Sequence, residues 1–244
     1  VNFIEPDWPA PPQVRALGTT RHGGVSSGAF SALNLGSHVG DDPAAVAENR
    51  RRLLLGAALP AMPRWLNQVH GHSLVDAAAS AAGVAADGTF TDQPGVVCAV
   101  LTADCLPLLL CASDGSRVAA VHAGWRGLAA GIIAAAVKRL RAGARIELLA
   151  WLGPAISAPV YEVDEPVRTA LLGADPAAAD SFSPGRPGHW QLDLAGEARR
   201  QLAAAGCRQV YGGSLCTLSA ADRFYSHRRD GRCGRQATLI WLAG

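Results

Sequence analysis

No uninterrupted apolar run in the 244-residue chain approaches the roughly 18 to 20 residues a helix needs to cross a bilayer, because Asp, Arg, Pro or Gly interrupts each one. Neither a transmembrane helix nor a membrane partner is expected. An excess of charge of one sign is also missing: 22 Lys and Arg stand against 20 Asp and Glu, net +2, and the basic residues are scattered except for a few short clusters. Such a balance leaves no electrostatic footprint for nucleic acid. The opening residues from Val1 to Trp8 lack a basic stretch followed by an apolar one, so no secretory signal is expected there. Cysteine is scarce, with six residues, which read without a secretory context as free thiols of a cytoplasmic protein. No P-loop, dinucleotide fingerprint, nucleophile elbow or zinc-ribbon spacing is present, and Gly23-Gly24 and Gly212-Gly213 do not replace them. Fixed-period repeats, heptads and long linkers are absent too, which points to one soluble domain over residues 1–244.

What is there is a series of apolar strands and helices in irregular alternation. Val14 to Thr20 reads as a strand, and Pro43 to Ala57 as a helix with Asp41 or Asp42 as its cap and Pro43 in its first turn. Val96 to Leu101, Leu106 to Cys111 and Val118 to Val121 read as strands, the last two joined through the turn Ser113-Asp114-Gly115-Ser116 into a hairpin. That hairpin brings Cys105 and His122 near one another at its open end, within a couple of residues of register. Leu128 to Arg141 reads as a helix with Gly143 just after it, fed by the turn Gly124-Trp125-Arg126-Gly127. Backbone N–H groups there, with Arg126, suit a phosphate or carboxylate; an ordinary strand-to-helix connection accounts for the same residues. Ile146 to Trp151 and Gln236 to Leu242 read as strands and Asp193 to Ala205 as a helix. The fold class expected is mixed α/β rather than a regular parallel doubly wound sheet.

The residues with chemistry are His, Cys, Asp and Arg. His70 and His72 stand two apart, which on a strand places both on one face where they can share a metal. Cys105 and His122, at successive separations of 35 and 17 residues along the chain from His70 onward, make with it a zinc-like donor set, in which three protein ligands leave a fourth position open. The same atoms suit a cysteine hydrolase in which Cys105 is the nucleophile, His122 its base and Asp104 or another acid the orienting group. Spacing alone does not decide between a bound thiolate and a free nucleophile. Cys98 and Cys111 lie inside apolar runs and read as small hydrophobes.

Taken in order, several segments resemble one family. They are Thr20-Arg21-His22-Gly23-Gly24-Val25-Ser26, Asn34 to Asp42, Gln68-Val69-His70-Gly71, Ala86-Asp87-Gly88, Thr102-Ala103-Asp104-Cys105-Leu106-Pro107, His122 to Gly127, Gly153-Pro154-Ala155-Ile156, and Phe224 to Gly231 followed by Gly234-Arg235-Gln236-Ala237. Together they look like the successive signatures of the YfiH-like laccase-domain family over nearly the whole chain. The resemblance implies one mixed α/β domain with paired sheets between helices, and a mononuclear zinc site at His70, Cys105 and His122. It leaves His72 outside the ligand set and gives His227 no role. Members of that family were first labelled copper polyphenol oxidases. The activity the resemblance implies is phosphorolysis of adenosine, inosine, guanosine and methylthioadenosine, with deamination of adenosine; some bacterial members are described as peptidoglycan editing factors.

Phosphorolysis needs an oxyanion held near the anomeric carbon, and guanidinium groups are suited to holding phosphate. Arg21, Arg50, Arg126, Arg228 and Arg229 stand in motif-like segments, with Arg126, Arg228 and Arg21 taken as the phosphate-binding candidates. Asp104, beside the thiolate, is an acid/base or a hydrogen-bond acceptor behind it. A cysteine hydrolase acting on a cell-wall amide or peptide is the alternative function. A multi-copper oxidase is disfavoured, since only seven histidines exist, scattered singly apart from one pair.

Overall fold

The strand-forming runs of the middle of the chain lie at the centre of the molecule, and a computed structural model describes residues 1–143 and 146–244. The strands are β1 (Phe3–Ile4), β2 (Val14–Thr19), β3 (Leu74–Asp76), β4 (Gly88–Thr91), β5 (Val97–Thr102), β6 (Leu106–Ala112), β7 (Val118–Ala123), β8 (Leu148–Leu152), β9 (Glu162–Asp164), β10 (Phe182–Pro184), β11 (His189–Leu192), β12 (Gln209–Gly212) and β13 (Gln236–Leu242). The helices are α1 (Pro43–Gly56), α2 (Trp125–Ala129), α3 (Ile132–Arg141), α4 (Glu165–Ala174), α5 (Leu194–Ala204) and α6 (His227–Asp230). Strands form a four-stranded sheet in the order β1-β2-β13-β5, a six-stranded sheet β12-β8-β6-β7-β4-β3 and a small sheet β10-β11-β9. Both parallel pairs, β12 with β8 and β3 with β4, lie at the edges of the six-stranded sheet. The architecture is thus the mixed α/β one expected.

Every residue of β6 is buried, which follows from covering both faces of its sheet. Alternation assigns the faces: Leu108 and Leu110 belong to the core shared with α2 to α5, whereas Leu109 and Cys111 meet Cys98 and Val100 of β5 and Ile240 of β13. The opposite face of the four-stranded sheet, with Leu17, Ala99 and Leu239, is covered by Leu53 of α1 and by Leu33, Leu35 and Trp65. Two sheets therefore pack face to face between helical and loop layers.

α1 begins as expected, with Asp42 accepting from the Ala44 N–H at 2.9 Å. The β6–β7 hairpin forms in the expected register, Leu106 opposite Ala123 and Pro107 opposite His122. The single helix expected over Leu128 to Arg141 is instead two. α2 starts earlier, at Trp125, and the chain breaks at Gly131, whose φ of +83° belongs to the left-handed region that glycine enters without a side-chain clash. An apolar stripe reports only which face is buried, and the alanines beside this glycine conceal the break.

Candidate metal and anion site

The centre is built where the two large sheets meet. β5 ends at Thr102 in the four-stranded sheet and β6 starts at Leu106 in the six-stranded one, so Ala103, Asp104 and Cys105 form the corner between them. Asp104 turns that corner at φ +91°, uncommon for a residue with a side chain. Its carboxylate is fixed on both oxygens, Oδ1 accepting from Thr217 Oγ1 at 2.7 Å and Oδ2 from the Arg228 N–H at 2.6 Å, while its carbonyl accepts from the Ile156 N–H at 2.9 Å. Asp104 therefore shapes the corner that presents Cys105 and is turned toward Thr217 and Arg228.

His122 lies on β7, 3% exposed. Antiparallel pairing of Gly88 in β4 with Val121 in β7 sets Asp87 beside it. Asp87 Oδ1 lies 2.9 Å from His122 Nδ1, so the orienting acid is Asp87 rather than Asp104. Asp87 is fully buried, and its carboxylate also accepts the backbone N–H groups of Val69, His70 and Gly71 at 3.3, 2.9 and 2.7 Å. These bonds wrap the 67–72 loop around the carboxylate and hold His70 at φ +59°, an unfavourable conformation that the surrounding structure enforces. A bend at His70 and Gly71 replaces the strand on which His70 and His72 would share a face; His72 is exposed and outside the group.

One ligand atom from each of His70, Cys105 and His122 lies within 4.8 Å of the others, the one such group among the described residues. The two imidazoles meet edge to face, with ring centroids 4.8 Å apart at 74°. Gly124, where β7 leads into α2, leaves room for them: a Cβ there would stand 2.9 Å from Cys105 Sγ and 3.4 Å from His70 Cδ2. Burial raises the Cys105 thiol, but the charge and hydrogen bond of His122, with those of His70, overcome it and favour the thiolate. Burial lowers His122, and the Cys105 thiolate and Asp87 raise it by more. Asp87 is raised by burial and lowered further by the His122 hydrogen bond and the loop amides, so it stays ionised. A thiolate and two imidazoles, one with its far nitrogen on a carboxylate, form a donor set suited to zinc, and that carboxylate fixes the ring that would ligate.

Around the trio the predicted arginines separate. Arg126 is exposed, its guanidinium 4.3 Å over the Trp125 ring. Arg228 donates Nη1 to the Glu162 carbonyl at 2.7 Å and lies 5.1 Å over Tyr161. Arg21 is held differently, Nε and Nη2 bonding the Ser31 carbonyl and Nη1 that of Ala221. Arg50 bonds the Leu35 carbonyl, and Arg229 bonds Asp230 and the carbonyls of Thr217, Leu218 and Phe224. Sequence reasoning missed Asp87, Tyr161 and His38. His38 lies within electrostatic reach of both histidines of the trio, held below its ordinary value by desolvation and by Arg235 and Arg50. Asp87 and His38 stand in the quoted motifs, so the signal was there without a role attached; Tyr161 stands outside them.

Residues 15–243 match the model of a family described as multi-copper polyphenol oxidoreductase laccase. The chain is 51% identical over 241 residues to the Pseudomonas aeruginosa protein named purine nucleoside phosphorylase PA4543, covering 98% of each. It is 44% identical to the Escherichia coli protein named purine nucleoside phosphorylase YfiH, again over 98% of each. Among solved structures, Neisseria meningitidis protein NMB0706 superposes with a TM-score of 0.92 at 46% identity over the whole of both chains.

Proposed function

This chain belongs to that laccase-domain family, and from this premise we propose that it is a zinc-dependent purine nucleoside phosphorylase that also deaminates adenosine. The observation that carries the reading is the convergence of His70, Cys105 and His122, with Asp87 behind His122, in a relative of proteins named purine nucleoside phosphorylase. Adenosine, inosine, guanosine and methylthioadenosine are the substrates, phosphate the co-substrate, and the cytoplasm the compartment in which the thiolate stays reduced.

His70, Cys105 and His122 would hold a zinc ion, which would supply Lewis acidity. Asp87 holds the His122 imidazole with its Nδ1 toward the carboxylate, leaving Nε2 as the free donor. Asp104 fixes the corner from which Cys105 projects and anchors the backbone of Arg228. Arg126 and Arg228, both within electrostatic reach of Tyr161 as Cys105 is, carry guanidinium groups suited to the phosphate that attacks the anomeric carbon as the purine departs. Arg21, a candidate from its motif, would have to give up carbonyl bonds to Ser31 and Ala221 to join them. The family description names several coppers, but the described residues contain one group that could hold a metal ion, which favours a single zinc.

The test is incubation of metal-analysed protein with adenosine in phosphate buffer, with Cys105→Ala in parallel and chromatography of the products. Phosphate-dependent adenine and ribose 1-phosphate, or inosine and ammonia, are expected from the wild type and lost in the variant. Absence of turnover with adenosine, inosine and methylthioadenosine overturns the reading. The second reading, a cysteine hydrolase acting on a cell-wall amide or peptide, is favoured by one feature: Asp87, His122 and Cys105 follow one another as acid, base and thiolate. In that case Cys105 reacts quickly with iodoacetamide in metal-loaded protein, whereas a ligated thiolate is protected.

A further inference from the structure

Tyr161 follows the short 3-10 turn Ala158–Val160, and the loop before that turn is tied to the catalytic corner by the Ile156 N–H bonding the Asp104 carbonyl at 2.9 Å. The tyrosine is half-buried, and its ring carries the Arg228 guanidinium 5.1 Å from its centroid. Four charged groups act on its hydroxyl: Cys105 and Asp104 from the negative side, Arg228 and Arg126 from the positive side. The phenol therefore stands where the metal-ligating corner meets the two arginines.

Its surroundings contain donors without matching acceptors. The Tyr161 hydroxyl has no hydrogen-bond partner among the described residues, and Arg126 has neither hydrogen bond nor ion pair there. Arg228 bonds the Glu162 carbonyl through Nη1, leaving Nε and Nη2 without a protein acceptor. The nearby carboxylate does not answer them, since both oxygens of Asp104 are taken by Thr217 and by the Arg228 backbone. Two cations and a hydroxyl, their free N–H and O–H donors unmatched by a hydrogen-bonding carboxylate among the described residues, form the complement of a tetrahedral oxyanion.

We propose that Tyr161 is the third donor of the anion seat, its hydroxyl binding inorganic phosphate together with Arg126 and Arg228 while its ring holds Arg228 in place. The identity of the ligand rests on the phosphorylase reading; the seat rests on the Arg228 guanidinium stacked on the Tyr161 ring with its Nε and Nη2 unpaired, and on Arg126 within electrostatic reach of the same tyrosine. Burial raises the phenol above its ordinary value, which already lies well above neutral pH, so the group stays a donor throughout the working range. A phenol donor among arginines also orients the anion, because it offers one direction where a guanidinium offers a planar fork.

The experiment compares zinc-loaded wild type, Tyr161→Phe and Tyr161→Ala, after thermal melts have shown both variants folded. Dissociation constants for inorganic phosphate are read from phosphorus NMR line broadening, and initial rates are varied separately in phosphate and adenosine. Tyr161→Phe keeps the platform and removes the hydroxyl, so phosphate affinity falls about tenfold and the phosphate KM rises in step, while the adenosine KM stays within about twofold. Tyr161→Ala weakens phosphate further, because Arg228 loses its support. Phosphate affinity in Tyr161→Phe equal to the wild type, or a loss confined to the adenosine KM, overturns the proposal and leaves the phosphorylase reading standing. Wild type that binds phosphate without turning over any nucleoside, with the Phe variant binding it more weakly, overturns that reading and supports the seat. Wild type that binds no phosphate overturns the seat.

Discussion

Asp87 holds together the two chain segments that meet at the centre. It fastens the His70 loop through three backbone N–H groups and orients His122 through its imidazole, with no water access. Asp87→Asn keeps the volume but supplies one acceptor and one donor where four donors converge. Zinc affinity is expected to fall 10- to 100-fold, read by competition with a chromophoric chelator at a temperature where a thermal melt shows the variant folded. An unchanged zinc affinity removes Asp87 from the site. The thiol provides the complementary measurement: chelated protein is alkylated at Cys105, whose thiolate His122 and His70 favour, and added zinc slows that reaction at least tenfold. At this scale the sequence showed unequal amounts. Cys105 and His122 were legible because a hairpin is a local object whose turn and strands lie in one window. His70 was a metal candidate from its place two residues before His72, and only the family resemblance chose it over His72, since a loop wrapped around a carboxylate has no periodicity. Asp87 went unassigned because its position beside His122 arises from pairing β4 with β7, a contact that spacing does not encode.

The elements that frame the site are constrained at two glycines of different kinds. Gly124 is required by space: a methyl there falls 2.9 Å from Cys105 Sγ. Gly124→Ala is expected to push the thiolate aside and lower zinc content with the fold retained, as metal analysis and circular dichroism together will show. Gly131 is required by its backbone, at φ +83° with open space around it. Gly131→Ala is expected to destabilise by about 1 kcal/mol through strain, read as a shift in the denaturant midpoint with zinc still bound. α5 carries an electrostatic constraint of its own. Burial raises Glu197, but hydrogen bonds from Arg200, Gln201 and Ser181 hold it below the usual carboxylate range. A carboxyl with a depressed folded value contributes stability that is present above its unfolded value of about 4.3 and is lost as pH falls through the folded one. Glu197→Ala leaves Arg200 with Asp175 alone, at 2.6 Å. It is expected to cost about 3 kcal/mol at pH 7, with a smaller penalty below pH 4, as urea melts at the two pH values will resolve.

At the scale of the molecule, the sandwich explains why distant parts of the chain must fold together for the site to exist. Cys105 and His122 are brought together by one hairpin, but the loop that carries His70 is held by both sheets, through the Gln68 side chain bonding the Leu101 N–H and carbonyl of β5 at 2.8 Å and through Asp87 just before β4. The fold class was legible because strands buried on both faces read as unbroken apolar runs; the assignment of β5 and β6 to different sheets was not, since both runs look alike and only Asp104 and Cys105 mark the corner between them. Leu109 of β6 is fully buried in the core between the sheets, with Cys98, Val100 and Ile240 of the other sheet. If that core makes the chain one cooperative unit, Leu109→Ala lowers stability by about 2 to 5 kcal/mol and does so in a single transition. Far-ultraviolet circular dichroism and tryptophan fluorescence should then give the same midpoint for wild type and variant. Two separated midpoints would mean that the sheets unfold independently. The zinc affinity would then follow the less stable sheet, because the His70 loop is anchored to both, at Leu101 of β5 and at Asp87 before β4.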